Sequence, residues 1–237
     1  MDNILFFGSE GRIARTIIAT LKNDFHIIGV DILENTSSIC DDYICLKHDH
    51  SNLKEIYETE LFYAVIHCQQ FKPKGFVNHS LDKFDLNFTE EVFRTNLIMT
   101  MESSALYIKQ VKAHNYLGRI INLSSTYGLI SSSPTLYKNT DFGNPYAYTV
   151  SKFGVIGLTK YIASYYKEYN VLCNSISPHG IENNQEESFK ENYFSRSPLG
   201  RLSDPKELIP AFNFLLDKEN TYTNGANIPI DGGWTAC

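Results

Sequence analysis

Tyr148-Thr-Val-Ser-Lys152 places a phenol and an ammonium four residues apart, so in a helix both project from one face. An unperturbed tyrosine titrates near pH 10 and is a poor base at neutral pH (pKa about 10). A lysine cation beside it favours the phenolate, giving an acid/base suited to interconverting a carbonyl and an alcohol. Taken alone, the pair fits a solvated helical face equally well, and its surroundings decide. At the other end of the chain, Phe6-Phe7-Gly8-Ser9-Glu10-Gly11-Arg12-Ile13-Ala14 reads as a strand turning into a helix. Gly8 permits a tight turn, Gly11 lets the backbone approach a pyrophosphate, Ala14 lets helix and strand pack closely, and the helix N-terminus offers free N–H groups to phosphates. Asp31 follows Gly8 by 23 residues, near the offset of a carboxylate that bonds adenosine ribose hydroxyls. A carboxylate there repels the 2′-phosphate of NADP, so NAD is the expected cofactor, with Arg12 and Arg15 leaving room for NADP. Asp49, past the third strand, is a candidate for facing the adenine or for capping the next helix.

The elements needed to position these residues are legible as alternating runs. Asn3–Phe7, His26–Val30, Tyr43–Leu46, Ala64–His67, Arg119–Leu123, Val171–Ile176 and Ala226–Ile230 read as seven strands, most of them nearly continuous apolar runs, as in a parallel sheet buried on both faces. Arg12–Lys22, Leu53–Glu60, Thr89–Ala113, Tyr146–Tyr166 and Pro205–Leu216 carry helical periodicity. This alternation predicts right-handed crossovers and a doubly wound α/β fold, one Rossmann-type domain over residues 1–237. Ser131–Pro145 and Glu182–Ser197 read as polar loops.

The chain has 237 residues, 43% hydrophobic and 20% charged, with net charge −6 and a pI near 5.6. Lacking a basic run, it is expected to bind neither nucleic acid nor an anionic membrane. Met1-Asp2-Asn3 enters a strand-like run without the basic segment and apolar core of a secretory signal, and no stretch reaches membrane-spanning length, so a cytoplasmic location is expected. The five cysteines, Cys40, Cys45, Cys68, Cys173 and Cys237, are odd in number and lack Cys-x-x-Cys spacing, which fits reduced thiols. His48 and His50 have no matching ligand cluster; they read as solvated loop histidines, and no metal is expected.

Ser125, Tyr148 and Lys152 in order, with the glycine turn and Asp31, resemble a short-chain dehydrogenase/reductase of the compact type. Gly118-Arg-Ile-Ile-Asn-Leu-Ser-Ser125 with Gly128, Arg94-Thr-Asn96-Leu97, Asn174-Ser-Ile-Ser-Pro178-His-Gly180-Ile181, Pro198-Leu-Gly-Arg201-Leu and Asn224-Gly225 to Asp231-Gly-Gly-Trp234 resemble further family segments, so the likeness spans almost the whole chain. There are departures. His67-Cys68-Gln69-Gln70 stands where the family has Asn-Asn-Ala-Gly, placing two glutamines where small residues let the backbone pass the cofactor. The first turn is one residue tighter than usual, Ala14 replaces its third glycine, and His179 occupies a site more often glycine. The long Gly128–Tyr148 spacing and His67-Cys68 with Pro73-Lys74-Gly75 resemble, more loosely, a subgroup from bacterial surface-sugar and flagellin-modification gene clusters.

The resemblance implies an NAD(P)-dependent oxidoreductase acting on a secondary alcohol or its ketone. It implies that Ser125 positions the substrate oxygen, Tyr148 passes the proton, Lys152 lowers the tyrosine pKa and bonds the nicotinamide ribose, and Asn96 holds a relay water. Gly8, Glu10, Gly11, Arg12, Ile13 and Asp31 would hold the adenosine and pyrophosphate. Asp49, His67, Cys68, Pro178 and Ile181, with Tyr148 and Lys152, would complete the cofactor contacts. Substrate is expected between loops 129–147 and 182–197, whose Tyr137, Lys138, Asn139, Thr140, Asp141, Asn144, Glu182, Asn183, Asn184, Gln185, Glu186 and Glu187 favour a sugar or nucleotide sugar. Homodimers or homotetramers packed through the long helices are expected. Alternatives are a 3-oxoacyl-(acyl carrier protein) ketoreductase, which calls for an apolar channel or basic patch, and a non-catalytic dinucleotide-binding redox sensor, which usually lacks the tyrosine or lysine.

Overall fold

Alternation along the first strand, β1 (Asp2–Phe7), divides the core into two layers. Ile4 and Phe6 join an apolar cluster containing Ala14, Ile17, Ile18 and Leu21, whereas Leu5 and Phe7 join another containing Ile56, Met99, Tyr107 and Val111. Side chains two apart share a face, and four consecutive fully buried residues therefore require cover on both sides. The computed structural model of the protein describes residues 1–33, 39–71, 80–140 and 143–236; Pro73-Lys74-Gly75, Asp141 and Cys237, named above, lie outside the described residues.

Six more strands, β2 (Phe25–Asp31), β3 (Asp42–Cys45), β4 (Ala64–His67), β5 (Gly118–Leu123), β6 (Val171–Pro178) and β7 (Asn227–Ile230), complete a sheet ordered β3-β2-β1-β4-β5-β6-β7. Every pairing is parallel. Helix α1 (Arg12–Leu21) covers one face through Ala14, Ile17, Ile18 and Leu21, the spacing of an apolar helical stripe. The other face is covered by α2 (Leu53–Thr59) and by two longer helices. Strand order reverses between β1 and β4, and in such sheets the ligand crevice opens beyond the strand carboxyl ends at that reversal.

Two elements differ from the sequence reading. The helix expected over Thr89–Ala113 begins earlier, as α3 (Leu86–Phe93), where the Asp85 side chain accepts a hydrogen bond from Phe88 N. It continues through a π-helical turn, Arg94–Ile98, into α4 (Met99–His114). After α5 (Tyr146–Tyr165), the supposed loop after β6 contains a helix, α6 (Glu187–Phe194). Only Phe189 and Tyr193, four apart, bury on Leu136, Leu202 and Trp234, so its apolar signal is one turn long. The last helix, α7 (Ile209–Leu216), follows a 3-10 turn at Pro205–Leu208 capped by Asp204 and Glu207. No described helix is long and apolar enough to cross a membrane.

Candidate active site

Gly8 fixes the turn that leaves β1. Its φ is +73°, and a β-carbon there would lie 2.6 Å from the backbone of Gln69; only glycine combines this conformation with so close a backbone approach. Gly11 then caps α1, and the first-turn N–H groups face a cleft lined by Glu10, Arg12, Ile13 and Asp31. The cleft measures about 660 Å³. Asp31 accepts hydrogen bonds from Glu10 N at 3.1 Å and from Ile32 N at 2.8 Å. Residues of this character fit a dinucleotide: a glycine cradle, a helix N-terminus, and two acids, one of which, Glu10, keeps a buried Oε1 without a hydrogen-bond partner among the described residues.

The cleft runs past Gln70, Leu123, Ile181, Asn183 and Gln185 into a second space of about 500 Å³, where Ser125, Tyr148, Pro178 and His179 form the wall. Close packing of a short turn on α5 sets this geometry. A β-carbon on Gly128 would lie 2.6 Å from the Lys152 carbonyl oxygen, and Ser124 Oγ donates to that same oxygen at 3.0 Å. The Ser125 hydroxyl accepts from Tyr127 N at 3.1 Å and hydrogen-bonds the Tyr148 phenol.

Lys152 is buried and donates to the Leu123 carbonyl at 3.0 Å. Its ammonium lies 5.6 Å from the centroid of the Tyr148 ring. Burial pulls its pKa down to about 8. Burial likewise pushes the Tyr148 pKa above its ordinary value, opposed by the Ser125 hydrogen bond. With the ammonium tied to the end of β5, burial rather than Lys152 sets the direction of the Tyr148 shift.

Asn96 sits inside the π turn, buried, with Oδ1 accepting from Phe71 N at 2.9 Å and Nδ2 donating to Ser151 Oγ at 3.1 Å. Ser151 in turn donates to the Tyr148 carbonyl at 2.7 Å. Asn96 thus ties the post-β4 segment to the first turn of α5. π turns recur at functional sites, but nothing in the 3.6-residue pattern reveals one.

Two expected cofactor contacts fall elsewhere. His67, the last residue of β4, points into the helix layer, not the cleft: Nδ1 bonds Asn122 Oδ1 at 2.8 Å, and Nε2 bonds Ser103 Oγ at 2.7 Å. Burial lowers its pKa to about 4, so the ring is neutral at physiological pH. Asp49 is exposed and closes its own turn by accepting from Ser51 N at 3.0 Å; the cap position of α2 belongs to Asn52. Its neighbours His48 and His50, read as solvated, line the cleft, and His50 also bonds Glu102 at 3.0 Å. Cys68 and Ile181 line the cleft as expected. Gln69 also lines the cleft while donating to Thr100 Oγ1 at 2.8 Å, whereas Gln70 projects where the two spaces join. Asn183 and Gln185, expected at the substrate end, also line the cleft, as do Arg94 and Thr95; as polar residues of a helix surface, Arg94 and Thr95 carried no periodic or spacing signal. Among the described residues no group of acids, histidines and cysteines is arranged to hold a metal ion.

The chain belongs to the short-chain dehydrogenase/reductase family: residues 62–235 match the family model described as enoyl-(acyl carrier protein) reductase. Among curated relatives it is similar to a 7α-hydroxysteroid dehydrogenase of Bacteroides fragilis, 30% identical over 66% of this chain and 58% of that protein. It is also similar to a 2-keto-3-deoxy-L-fuconate dehydrogenase of Xanthomonas campestris, 34% identical over 50% of this chain and 40% of that protein. These matches span only about half of each relative (58% and 40%). A solved short-chain dehydrogenase from Leptospira borgpetersenii with bound NAD+ superposes with a TM-score of 0.88 at 27% identity, covering 99% of this chain and 92% of that one.

Lys152 has a measurable signature. Its folded pKa of about 8 lies below the ordinary 10.5, so between those pH values the unfolded chain holds a proton that the folded chain has released. Stability attributable to Lys152 therefore rises with pH across this window, and below it the buried cation carries its full penalty. The urea midpoint of Lys152→Met minus that of wild type should be larger at pH 7 than at pH 10. A difference flat with pH would contradict the burial of this charge.

Proposed function

We propose that this protein is an NAD-dependent oxidoreductase that interconverts a secondary alcohol and a ketone on a small polar molecule, a sugar or the sugar ring of a nucleotide sugar. The observation that carries the reading is the hydrogen-bonded Ser125–Tyr148 hydroxyl pair on the wall of the second space, which adjoins the glycine-cradled cleft, with the Lys152 cation behind it. When bound, the dinucleotide supplies the hydride donor or acceptor. Ser125 holds the substrate oxygen, and Tyr148 exchanges the proton at that oxygen through its phenol. Because burial raises the Tyr148 pKa, the phenol is the proton-bearing form at neutral pH, ready to donate to a ketone. Lys152 contributes positive charge beneath the ring, and Asn96 fixes the start of α5 through Ser151. Leu123 and Ile181 exclude water along the passage between the two spaces.

The substrate end supports a polar ligand. Asn144, Asn183, Asn184 and Gln185 contribute amides and Glu186 a carboxylate, the Tyr127 and Tyr137 hydroxyls bond each other at 2.8 Å, and no lysine or arginine is among the described lining residues. Leaving such groups unpaired against an apolar ligand costs about 1–3 kcal/mol each. The similarity to a 2-keto-3-deoxy-L-fuconate dehydrogenase supports a hydroxyl-rich substrate, although that relative's sugar acid is an anion. The apolar groove of about 500 Å³ between α4 and α5, lined by exposed Met101 and Tyr161, with Phe153 also exposed on α5, supports association of two or four copies through these helices.

Three outcomes are expected. Tyr148→Phe should lower turnover by at least about a hundredfold, the usual worth of a general acid, while NAD affinity by calorimetry changes only a few-fold; retention of more than a tenth of the rate would remove Tyr148 from the proton step. Steady-state kinetics should give neutral sugars a higher kcat/KM than acetoacetyl thioesters, and the reverse order would end the sugar assignment. Sedimentation velocity should show an oligomer that Phe153→Asp dissociates; a monomeric wild type would refute the helix-packed assembly.

A further inference from the structure

Ser125 stands between two residues whose hydroxyls are tied to different elements. Ser124 Oγ donates to the Lys152 carbonyl of α5 at 3.0 Å. On the other side, Thr126 Oγ1 hydrogen-bonds His179 Nδ1, just past the end of β6, at 2.6 Å. Ser124 and Thr126 are both buried, Thr126 completely, and Ser125 is extended between them, with φ −162° and ψ 160°. The Thr126 bond joins the first residue of the turn Thr126–Gly128 to a residue 53 positions along the chain.

His179 is itself held from several sides. Its backbone N–H donates to the Ile230 carbonyl at 3.2 Å. Its ring lies 4.3 Å from that of Trp234, and 5.3 Å from those of Tyr127 and Tyr193, centroid to centroid. Packed among three aromatic rings, the imidazole is not free to turn away from Thr126. Burial pulls its pKa down to about 4, so the ring is neutral at physiological pH. Nε2 has no hydrogen-bond partner among the described residues, which leaves Thr126 as the polar tie of the ring. A glycine at position 179, more usual in the family, would deprive the buried Thr126 hydroxyl of this partner, and an unpaired buried hydroxyl is destabilising.

Resting on the assignment of Ser125 and Tyr148 to the reaction, we infer that His179 is a positioning residue for the proton step. Acting through Thr126, it holds the start of the turn so that the Ser125 hydroxyl meets the Tyr148 phenol. The His179 tie fixes one flank of Ser125 and the Ser124 bond fixes the other. Tyr127 N, donating to Ser125 Oγ at 3.1 Å, then sets the direction of the hydroxyl from within the same turn. Because Ile230 and Trp234 hold His179, the C-terminal segment bears on the geometry of the site through the same bond. A displacement of about 1 Å at reacting groups can cost about a hundredfold in rate, so such a tie matters even though it touches neither reacting atom.

NMR of the full chain, carbon-13-labelled at tyrosine Cζ, tests this without substrate or dinucleotide. The Tyr148 signal is assigned by its loss in Tyr148→Phe and reports the hydrogen bond to the phenol. Ser125→Ala gives its position when that bond is gone. Thr126→Val and His179→Phe, which keep side-chain shape and remove the tie, should each move the Tyr148 signal by most of that displacement. Their combination should move it no further, since both remove one bond. His179→Asn, whose amide stands close to where Nδ1 stood and can still bond Thr126, should leave the signal at its wild-type position. Where His179→Phe fails to fold, the closely shaped Thr126→Val decides alone. A Tyr148 signal moved by Ser125→Ala but unmoved by Thr126→Val would overturn the role of His179 and leave the Ser125–Tyr148 pair standing. A shift in His179→Asn as large as in His179→Phe would also overturn it, by showing that ring bulk and not the bond is what matters. A signal unmoved even by Ser125→Ala would overturn both this inference and the hydroxyl pair that carries the proposed function.

Discussion

The contact between Gly8 and the backbone of Gln69 is the constraint on which the site depends. A β-carbon at residue 8 would sit 2.6 Å from Gln69 Cα and N, so the turn after β1 and the chain leaving β4 touch main chain to main chain. That contact closes the floor of the crevice at the strand reversal. Above it, Glu10 and Asp31 face one side, and Gln70 marks the passage to Tyr148. A larger residue at position 8 would push apart the two segments that every other part of the cleft is referenced to.

The four residues that replace the family's Asn-Asn-Ala-Gly are absorbed by sending their side chains in different directions. His67 enters a buried chain in which Asn122, His67, Ser103 and Tyr57 are joined at 2.8, 2.7 and 2.6 Å. Asn122 Nδ2 donates to Thr159 Oγ1 at 2.9 Å, which leaves Oδ1 to accept from His67 Nδ1 and makes His67 Nε2 the acceptor. With every ring nitrogen used, the imidazole is held neutral, consistent with its lowered pKa, and it cross-links β4, β5 and α4. Gln69 is anchored by Thr100 and, with Cys68 and Gln70, lines the cleft. The substitutions that looked most damaging to cofactor contact thus become part of the wall of the cleft.

The fold was legible because it is written in period: Ile4 and Phe6 against Leu5 and Phe7, and the stripe Ala14, Ile17, Ile18 and Leu21, specify a two-faced sheet and its first helix without further help. The Tyr148–Lys152 pair and the glycine turn were legible because spacing alone confers their geometry. Directions at strand ends were not. Whether His67 or Cys68 faces the cleft depends on how β4 exits the sheet, which is set by partners as far away as Ser103 and Asn122. Asp49 was misread for a similar reason, since a short acid followed by Ser51 closes a turn as readily as it greets a ligand. The effect of Lys152 on Tyr148 was also beyond sequence, because the Leu123 carbonyl that claims the ammonium is brought there by sheet packing. Helix α6 escaped because two apolar residues four apart make too short a stripe to stand out from a polar loop.

The π turn at Arg94–Ile98 also sets the phase of the longest helical segment. A π turn holds more residues than an α turn, so everything beyond it is rotated by roughly 100° relative to a continuous α-helix. Before the turn, Phe88 and Val92 pack against Ala147 beside the start of α5; after it, Met99, Tyr107, Ile108 and Val111 face the sheet. One helix thereby serves two neighbours that lie in different directions, and Asn96 occupies the joint. A chain shortened by one residue at this joint would retain its helix and its composition, yet α4 would present the wrong azimuth to the sheet. The length of this segment is therefore fixed as strictly as its chemistry.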